Sequence, residues 1–497
     1  MKKLVIYLLP TLLLVTACSE DFLQEDPRGQ LANEGFFKGP ADLDLALTAL
    51  YNKVNLCVNI DDWDAPLMGA DDVTSHSKGN KQDFLEFDLF AVNDQNTRLS
   101  DAWTNYYGLV NAANFIIEGY QEATEATEEE RNQAAATAYF FRAHAYYYLV
   151  RVWRDVPLVT TNEVNTDLAT SPAEEVYSLI VSDLQQAETL LPDAWEGKFD
   201  QIAPTAGAAK SLLASVYLTM AGYPVQDEAK YALAAQKAQE VMDNASTWGY
   251  RLLDDYAELW RDQPHHDEII YAAYYNNQNA SGNFADLNVR APYPSQPDDE
   301  GGWSDYFAEL SFFEAFPEGP RKDATFQTIL RPNETDTLNW TEGLFAHPFY
   351  KKMRAANGEE NLETPWVFFN WMSSRTNVFM RYAEVLLIYA EAKAMADGPD
   401  ATAYAAVNQV RNRAGLADLT PGLSATDFRD AVVAERGWEF AGLEYAARWH
   451  DLVRLELVEA ANANRHPDEL DLINQPTKED YFAPIPLKDK QINPNLE

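Results

Sequence analysis

The sequence predicts a mostly α-helical fold, with helices stacked in pairs on one core and a large loop-rich insertion that carries short strands. Three observations lead there. Apolar residues recur at i+3/i+4 in window after window from Ala41 to Ala460, the period of helices that bury one face. Two helix pairs place alanines at i, i+3/i+4 opposite larger Leu, Tyr or Val residues and turn at Gly222-Tyr223-Pro224 and Asp397-Gly398-Pro399. Between Tyr271 and about Thr376 the helical period breaks, and Gly, Pro and Asn become frequent.

In chain order, residues 1–17 read as a signal peptide. Lys2 and Lys3 precede the apolar run Leu4–Ala17, which is short for a bilayer span of roughly 20 residues. Val15-Thr16-Ala17-Cys18 resembles a bacterial lipobox, in which cleavage leaves Cys18 N-terminal and acylated. Residues 18–37 then form a polar tether with Pro27 and Gly29. Residues 38–270 form an N-terminal helical region. Its first helix is predicted over Ala41–Val54, with Leu43, Leu47, Leu50 and Val54 on one face.

Asn59–Leu99 is too long for an ordinary connection, and loops of that length are usually functional. Helices are predicted over Trp103–Glu118, then over a central segment whose stripe is Ala134, Ala138, Phe141, Ala145 and Leu149, stopping at Pro157. The small residues in that stripe admit a neighbouring helix closely, and Arg142 among the aromatics points to a structural role, stacked on a ring or paired with a carboxylate. Ala173–Leu190, Thr205–Ala221 and Glu228–Met242 follow, and a short strand pair is expected around Glu268–Tyr275. Residues 271–376 form the insertion. Residues 377–497 return to helices over Arg381–Ala396, Thr402–Arg413, Phe428–Glu439 and Tyr445–Ala460. The alanine-patterned pairs resemble tetratricopeptide hairpins. Residues 18–497 together are expected to make one compact body.

Composition narrows the function. Hydrophobic residues at 46% and aromatics at 12% are globular values, and the formal charge of −40 excludes nucleic acid, which needs basic patches. Signal cleavage removes two lysines and no acid, taking the charge to −42. With Cys18 lipidated, Cys57 stands alone and no internal disulfide forms. No nucleophile elbow, phosphate loop or dinucleotide fingerprint is present. Neither a cofactor nor a metal is expected. His265-His266 reads as a solvated turn, and Asp61, Asp62 and Asp64 lack the spacing of a calcium loop. Glu435, Arg436, Glu439, Arg448, Asp451 and Arg454 read as a structural ion network.

Several segments, in order, resemble the SusD/RagB family of outer-membrane nutrient-binding lipoproteins. They are Cys18-Ser-Glu-Asp-Phe-Leu, Trp103-x-x-x-Tyr107-x-x-x-Asn111-Ala-Ala-Asn114, and the central helix through Asp155-Val-Pro157-Leu. Met380-Arg-Tyr-Ala-Glu384-Val-Leu-Leu-Ile-Tyr-Ala-Glu391-Ala, Asn408-x-Val-Arg411-Asn-Arg-Ala-Gly415 and Glu435-Arg436 continue the series. Arg448-Trp449-x-Asp451-Leu-Val-Arg454 and Pro484-Ile-Pro486 complete it. The chain departs from the pattern at Gly437-Trp438-Glu439-Phe440 and Leu443-Glu444-Tyr445, and stops slightly early, at Glu497. Ser19-Glu20-Asp21 resembles the acidic export signal of surface-exposed lipoproteins in Bacteroidetes.

The resemblance implies a SusD-like helical scaffold on a lipoprotein held in the outer membrane by its N-terminal lipid, facing the cell exterior. It implies a non-enzymatic protein that captures oligosaccharides and passes them to a SusC-like TonB-dependent barrel, with a ligand surface built from loops. Sugar rings stack their C–H faces on flat aromatics, and their hydroxyls need planar polar side chains at the edges. The expected ligand residues are therefore Trp63 and Asp72 from the long loop, with Asn276, Arg290, Tyr293, Trp303, Tyr306, Trp340 and Trp366 from the insertion. Asn277 is a further polar choice. Taken singly, each aromatic is better explained by loop packing; it is as a group that they point to ligand contact. Two rival readings are a peptide-capturing RagB-type lipoprotein and a lipid-anchored glycoside hydrolase using two carboxylates. A third is a bare helical scaffold.

Overall fold

A computed structural model describes residues 35–58, 62–77, 79–260, 265–275, 302–332, 335–354, 375–445 and 448–496. Its helices are α1 (Pro40–Cys57), α2 (Gln82–Asp88), α3 (Thr97–Gly119), α4 (Glu128–Trp153), α5 (Ala173–Leu190), α6 (Ala206–Ala221), α7 (Lys230–Asp243) and α8 (Ala245–Trp248). After them come α9 (Leu310–Ala315), α10 (Pro320–Thr325), α11 (Tyr382–Asp397), α12 (Ala401–Arg413), α13 (Ala425–Glu439), α14 (Arg448–Arg454), α15 (Val458–Asn462) and α16 (Leu487–Ile492). Eight short strands, numbered in chain order, pair two by two. The fold is the mostly helical one the sequence predicts.

Helix α4 is the centre of the scaffold. Thr127 caps it: its Oγ1 accepts from Glu130 N at 3.2 Å, and Glu130 Oε2 accepts from Thr127 N at 2.7 Å. All five stripe residues are buried, and the helix packs against α1, α3 and α5. Tyr148 stacks on Tyr106 of α3 with ring centroids 3.8 Å apart. Arg142 makes a bidentate pair with Asp183 of α5 and donates from Nη1 to Asn114 Oδ1 at 2.8 Å. The helix ends before Pro157. Arg154 takes φ 64°, and Val156 then pairs with Ser171 in an extended bridge.

The array continues through α5, α6 and α7 to α11, which also receives α12 and α13. The two alanine-patterned pairs, α6/α7 and α11/α12, are therefore neighbours in space although the insertion separates them in sequence. The helix expected over Tyr445–Ala460 is broken instead into α14 and α15, because Glu456 between them takes φ 55°. The expected strand near Glu268–Tyr275 is β2 (Ile269–Ala273), antiparallel to β8 (Asn377–Arg381). That ribbon brings the start and the end of the insertion together.

Two buried ion networks tie the C-terminal helices down. Arg454 holds Glu391 of α11 bidentately at 2.5 and 2.7 Å and reaches Asp451, which also takes Arg436 at 2.7 Å. In the second, Arg381 meets Glu268 at 3.0 Å, Glu444 at 2.8 Å and Glu439 at 2.5 Å. Arg413 and Arg321 also bind Glu439, and Arg321 and Arg411 share Glu435. Burial alone would raise the Glu439 carboxyl, but the guanidiniums of Arg413, Arg381 and Arg321 outweigh it and hold the group well below the usual carboxylate range.

Candidate functional site

The long loop after α1 and the insertion fold onto each other. Strand β1 (Val73–Thr74) pairs antiparallel with β3 (Phe307–Ala308), in the register Val73↔Ala308 and Thr74↔Phe307. Ser75 Oγ donates to the Asp305 carbonyl at 2.6 Å, and Lys81 forms a buried ion pair with Asp305. Strand β4 (Phe326–Gln327) pairs with β7 (Phe349–Tyr350), and β5 (Ile329–Leu330) with β6 (Leu338–Asn339). Two-residue strands cannot hold a sheet by themselves. The ion pairs and the latch at Asp72 hold this one on the scaffold.

Asp72 is that latch. Its Oδ2 accepts from Gly442 N at 2.9 Å, and its carbonyl accepts from Glu309 N at 3.1 Å and from the Tyr350 hydroxyl. Gly442 has φ 83°, and a Cβ there would stand 2.4 Å from the Tyr350 ring, so only glycine fits. Burial pushes the Asp72 carboxyl up to about 6, against the Gly442 N–H that lowers it. Its Oδ1 accepts no hydrogen bond among the described residues.

Three expected ligand residues therefore lie in the interior. Trp63 is 4% exposed and stacks on Tyr445 at 5.6 Å, Asp72 is the latch, and Tyr306 is 1% exposed beside Tyr350. Asp72 and Tyr306 flank the ribbon that joins loop to insertion, and Trp63 is held under Tyr445 and by the Tyr148 hydroxyl on its carbonyl. Asn276, Asn277, Arg290, Tyr293 and Trp366, like the lipidation residue Cys18, lie outside the described residues. Trp303 and Trp340 remain partly exposed on the insertion. Trp340 stands edge-on to Phe313 at 5.7 Å, next to exposed Asn339 and Thr341.

Beside Ser304, which follows Trp303 in the chain, the structure adds two residues that sequence reading missed. His76 lies flat on Phe345, centroids 4.1 Å apart, and its Nε2 donates to the Ser304 carbonyl at 3.0 Å. Both rings are half-buried, with buried Phe307 beneath them at 5.6 and 5.1 Å. Nothing local in the sequence marks His76 or Phe345, because their contact exists only once β1 and β3 are in register. His347 holds Glu469 at 3.0 Å at the edge of this patch. Burial disfavours its charge, but Glu469 outweighs burial and raises its pKa. The face thus offers half-buried rings at fixed angles, rimmed by Asn, Thr and charged groups. That arrangement suits a ligand with flat C–H faces and hydroxyl edges.

Of the other residues weighed from sequence, Asp62 pairs with Arg98 at 2.9 Å, Asp64 is buried, and Asp61 lies outside the described residues. The described residues hold no group of three or more His, Cys, Asp or Glu arranged for a metal ion. Arg448, on α14, forks onto Asp71 at 2.7 and 2.9 Å.

Comparison with known proteins agrees with this architecture. Residues 21–218 match a family described as "Starch-binding associating with outer membrane", and residues 349–497 match the SusD family. SusD-like protein P2 of Formosa agariphila is 28% identical over 533 aligned residues, covering 100% of this chain and 99% of that protein. A SusD superfamily protein from Parabacteroides distasonis superposes with a TM-score of 0.78 at 24% identity, over 94% of this chain and 99% of its own. A laminarin-binding SusD-like protein superposes with a TM-score of 0.76 at 23% identity, over 93% and 99%. The solved structures speak to the fold.

Proposed function

The chain belongs to the SusD family, and from that premise we propose that it is a non-enzymatic glycan-binding lipoprotein of the cell surface. It captures an oligosaccharide on the loop-built face and passes it to a TonB-dependent barrel in the same membrane. The observation that carries the reading is the aromatic patch of His76, Phe345 and Phe307, assembled from the long loop and the insertion, with Trp303 next in the chain to the Ser304 carbonyl that His76 holds. The laminarin-binding relative supports a glycan as ligand. Acylation of Cys18 would confine the protein to one membrane plane with its barrel. The resulting effective concentration makes a weak hold on each sugar sufficient. Outside Trp303, the tryptophan-rich insertion supplies Trp340 as a flanking contact.

Affinity electrophoresis tests this in native gels containing laminarin, xyloglucan or starch. At least one of these polysaccharides should retard the wild type, and Trp303→Ala should weaken that retardation about fivefold or more, an aromatic contact's share of binding. Equal mobility of wild type and variant on every polysaccharide, with measurable binding of peptides, would replace this reading with peptide capture.

A further inference from the structure

A second cleft lies on the helical scaffold, built from elements that contribute nothing to the loop face. Its walls are the 191–205 segment between α5 and α6 and the turn of α8 through Tyr250, and its floor is the chain around β2. We propose that this cleft is a second saccharide-binding site, taking a neutral segment of the same glycan chain. The proposal rests on the glycan reading above and extends it to a separate surface.

Two half-exposed tryptophans line the cleft, and each has its one polar atom tied back into the protein. Trp195 Nε1 donates to the Pro204 carbonyl at 2.8 Å, and Trp248 Nε1 donates to Asp193 Oδ1 at 2.8 Å. With the N–H satisfied inside, what each ring leaves to solvent is apolar surface, the part of an indole that sugar C–H groups contact. Trp248 is seated on Gly207 in the first turn of α6, where a Cβ would come within 2.4 Å of the indole. A ring seated on backbone by one side has only its other side to offer. Tyr250 stands 5.8 Å from Trp248 and shares a hydrogen bond with Thr205 at 2.9 Å, and Tyr274 lies 4.6 Å from His265.

The Trp248–Asp193 and Tyr250–Thr205 bonds join one wall to the other, so the aromatic spacing is set before any ligand arrives. The polar lining also discriminates. Asp193, Asp200 and Asp267 line the cleft and no Lys or Arg does, among the described residues. Asp267 is paired with Arg251 at 2.8 Å, so it is Asp193 and Asp200 that repel uronic acids, sulfated sugars and phosphates, while neutral hydroxyls find carboxylate acceptors and the Gln201 amide. Burial lowers His265, and His266 further to about 4, so both imidazoles are neutral at neutral pH; His266 Nδ1 already accepts from Glu268 N at 3.3 Å, and His265 is the ring that can donate as well as accept.

The test uses the full chain in native gels containing laminarin, xyloglucan or starch, with alginate as the anionic control. Four proteins are compared: wild type, Trp303→Ala, Trp195→Ala and Asp200→Asn. Asp200 is exposed, so its substitution reports on the cleft even where Trp195→Ala lowers the melting temperature. On the neutral polysaccharide that retards the wild type most, Trp195→Ala should weaken retardation about fivefold. Asp200→Asn should weaken it about twofold, and alginate should retard none of the four. Wild-type retardation by both cleft variants, alongside a weakened Trp303→Ala, would overturn this inference and leave the loop-face reading standing. No retardation of the wild type by any neutral polysaccharide would overturn both. Retardation by alginate equal to that by neutral chains would overturn the charge argument on which the cleft's ligand rests.

Discussion

The helical scaffold and the loop-built insertion reach stability by different means. Around α4 the contacts are mostly apolar, with the Arg142–Asp183 pair the buried ion pair on the helix: Ala134, Ala138 and Ala145 admit neighbouring helices, and Phe141 and Leu149 fill the space beside them. The insertion is held by two-residue strands, the Asp72 latch and buried charges: Lys81 with Asp305, Lys352 with Glu444, Arg321 with Glu435 and Glu439. Charges need exact partners, whereas packed side chains tolerate change. The insertion can therefore vary its exposed residues freely, so long as the buried partners stay. A ligand face on such a base is rigid where it is anchored and open to substitution where it meets solvent.

Removing one charge should break the comparison most severely. Arg381→Ala takes the central cation from Glu268, Glu439 and Glu444 and leaves them to share Arg413, Arg321 and Lys352, and should lower unfolding stability by about 3–5 kcal/mol in a denaturant titration. A change below about 1 kcal/mol would mean that the network is dispensable. Leu149→Ala opens a cavity in the scaffold and should cost about 3 kcal/mol. It should nonetheless leave retardation on polysaccharide gels at the wild-type level, because the loop face does not include α4.

Asp72 gives a smaller effect with a defined sign. Its folded value of about 6 lies above that of an ordinary carboxyl, so the folded state keeps a proton the unfolded chain has lost. The stabilisation is fully present below the unfolded value and is lost as pH rises through 6. Between pH 7.5 and pH 5 the wild type should gain about 1.5 kcal/mol relative to Asp72→Asn. Parallel pH profiles for the two proteins would show that the latch carries no trapped proton. Trp303→Ala should be the mildest in stability, within about 1 kcal/mol of wild type, since its ring is only half-buried.

The same contrast explains what was legible in the sequence. Helices α5, α6, α7, α11 and α12 are found within two residues of their predicted ends, because periodicity, caps and turn residues are local signals. The insertion's construction was not legible. The register Val73↔Ala308 joins residues no local pattern links, and it sets Asp72 and Tyr306 in the interior beside the two strands while bringing His76 to Phe345. Tryptophan content marks the insertion as a stretch of chain, but exposure is a tertiary property. The break at Glu456 was likewise hidden, since the apolar period runs through it.

Amide hydrogen exchange, with and without the neutral polysaccharide that retards the protein most, tests the loop face directly. Bound glycan should slow exchange at residues 73–76, 303–308 and 343–347, and leave Tyr139–Leu149 of the scaffold core unchanged. Binding that leaves all three loop segments at their free rates would contradict the assignment of the ligand to this face.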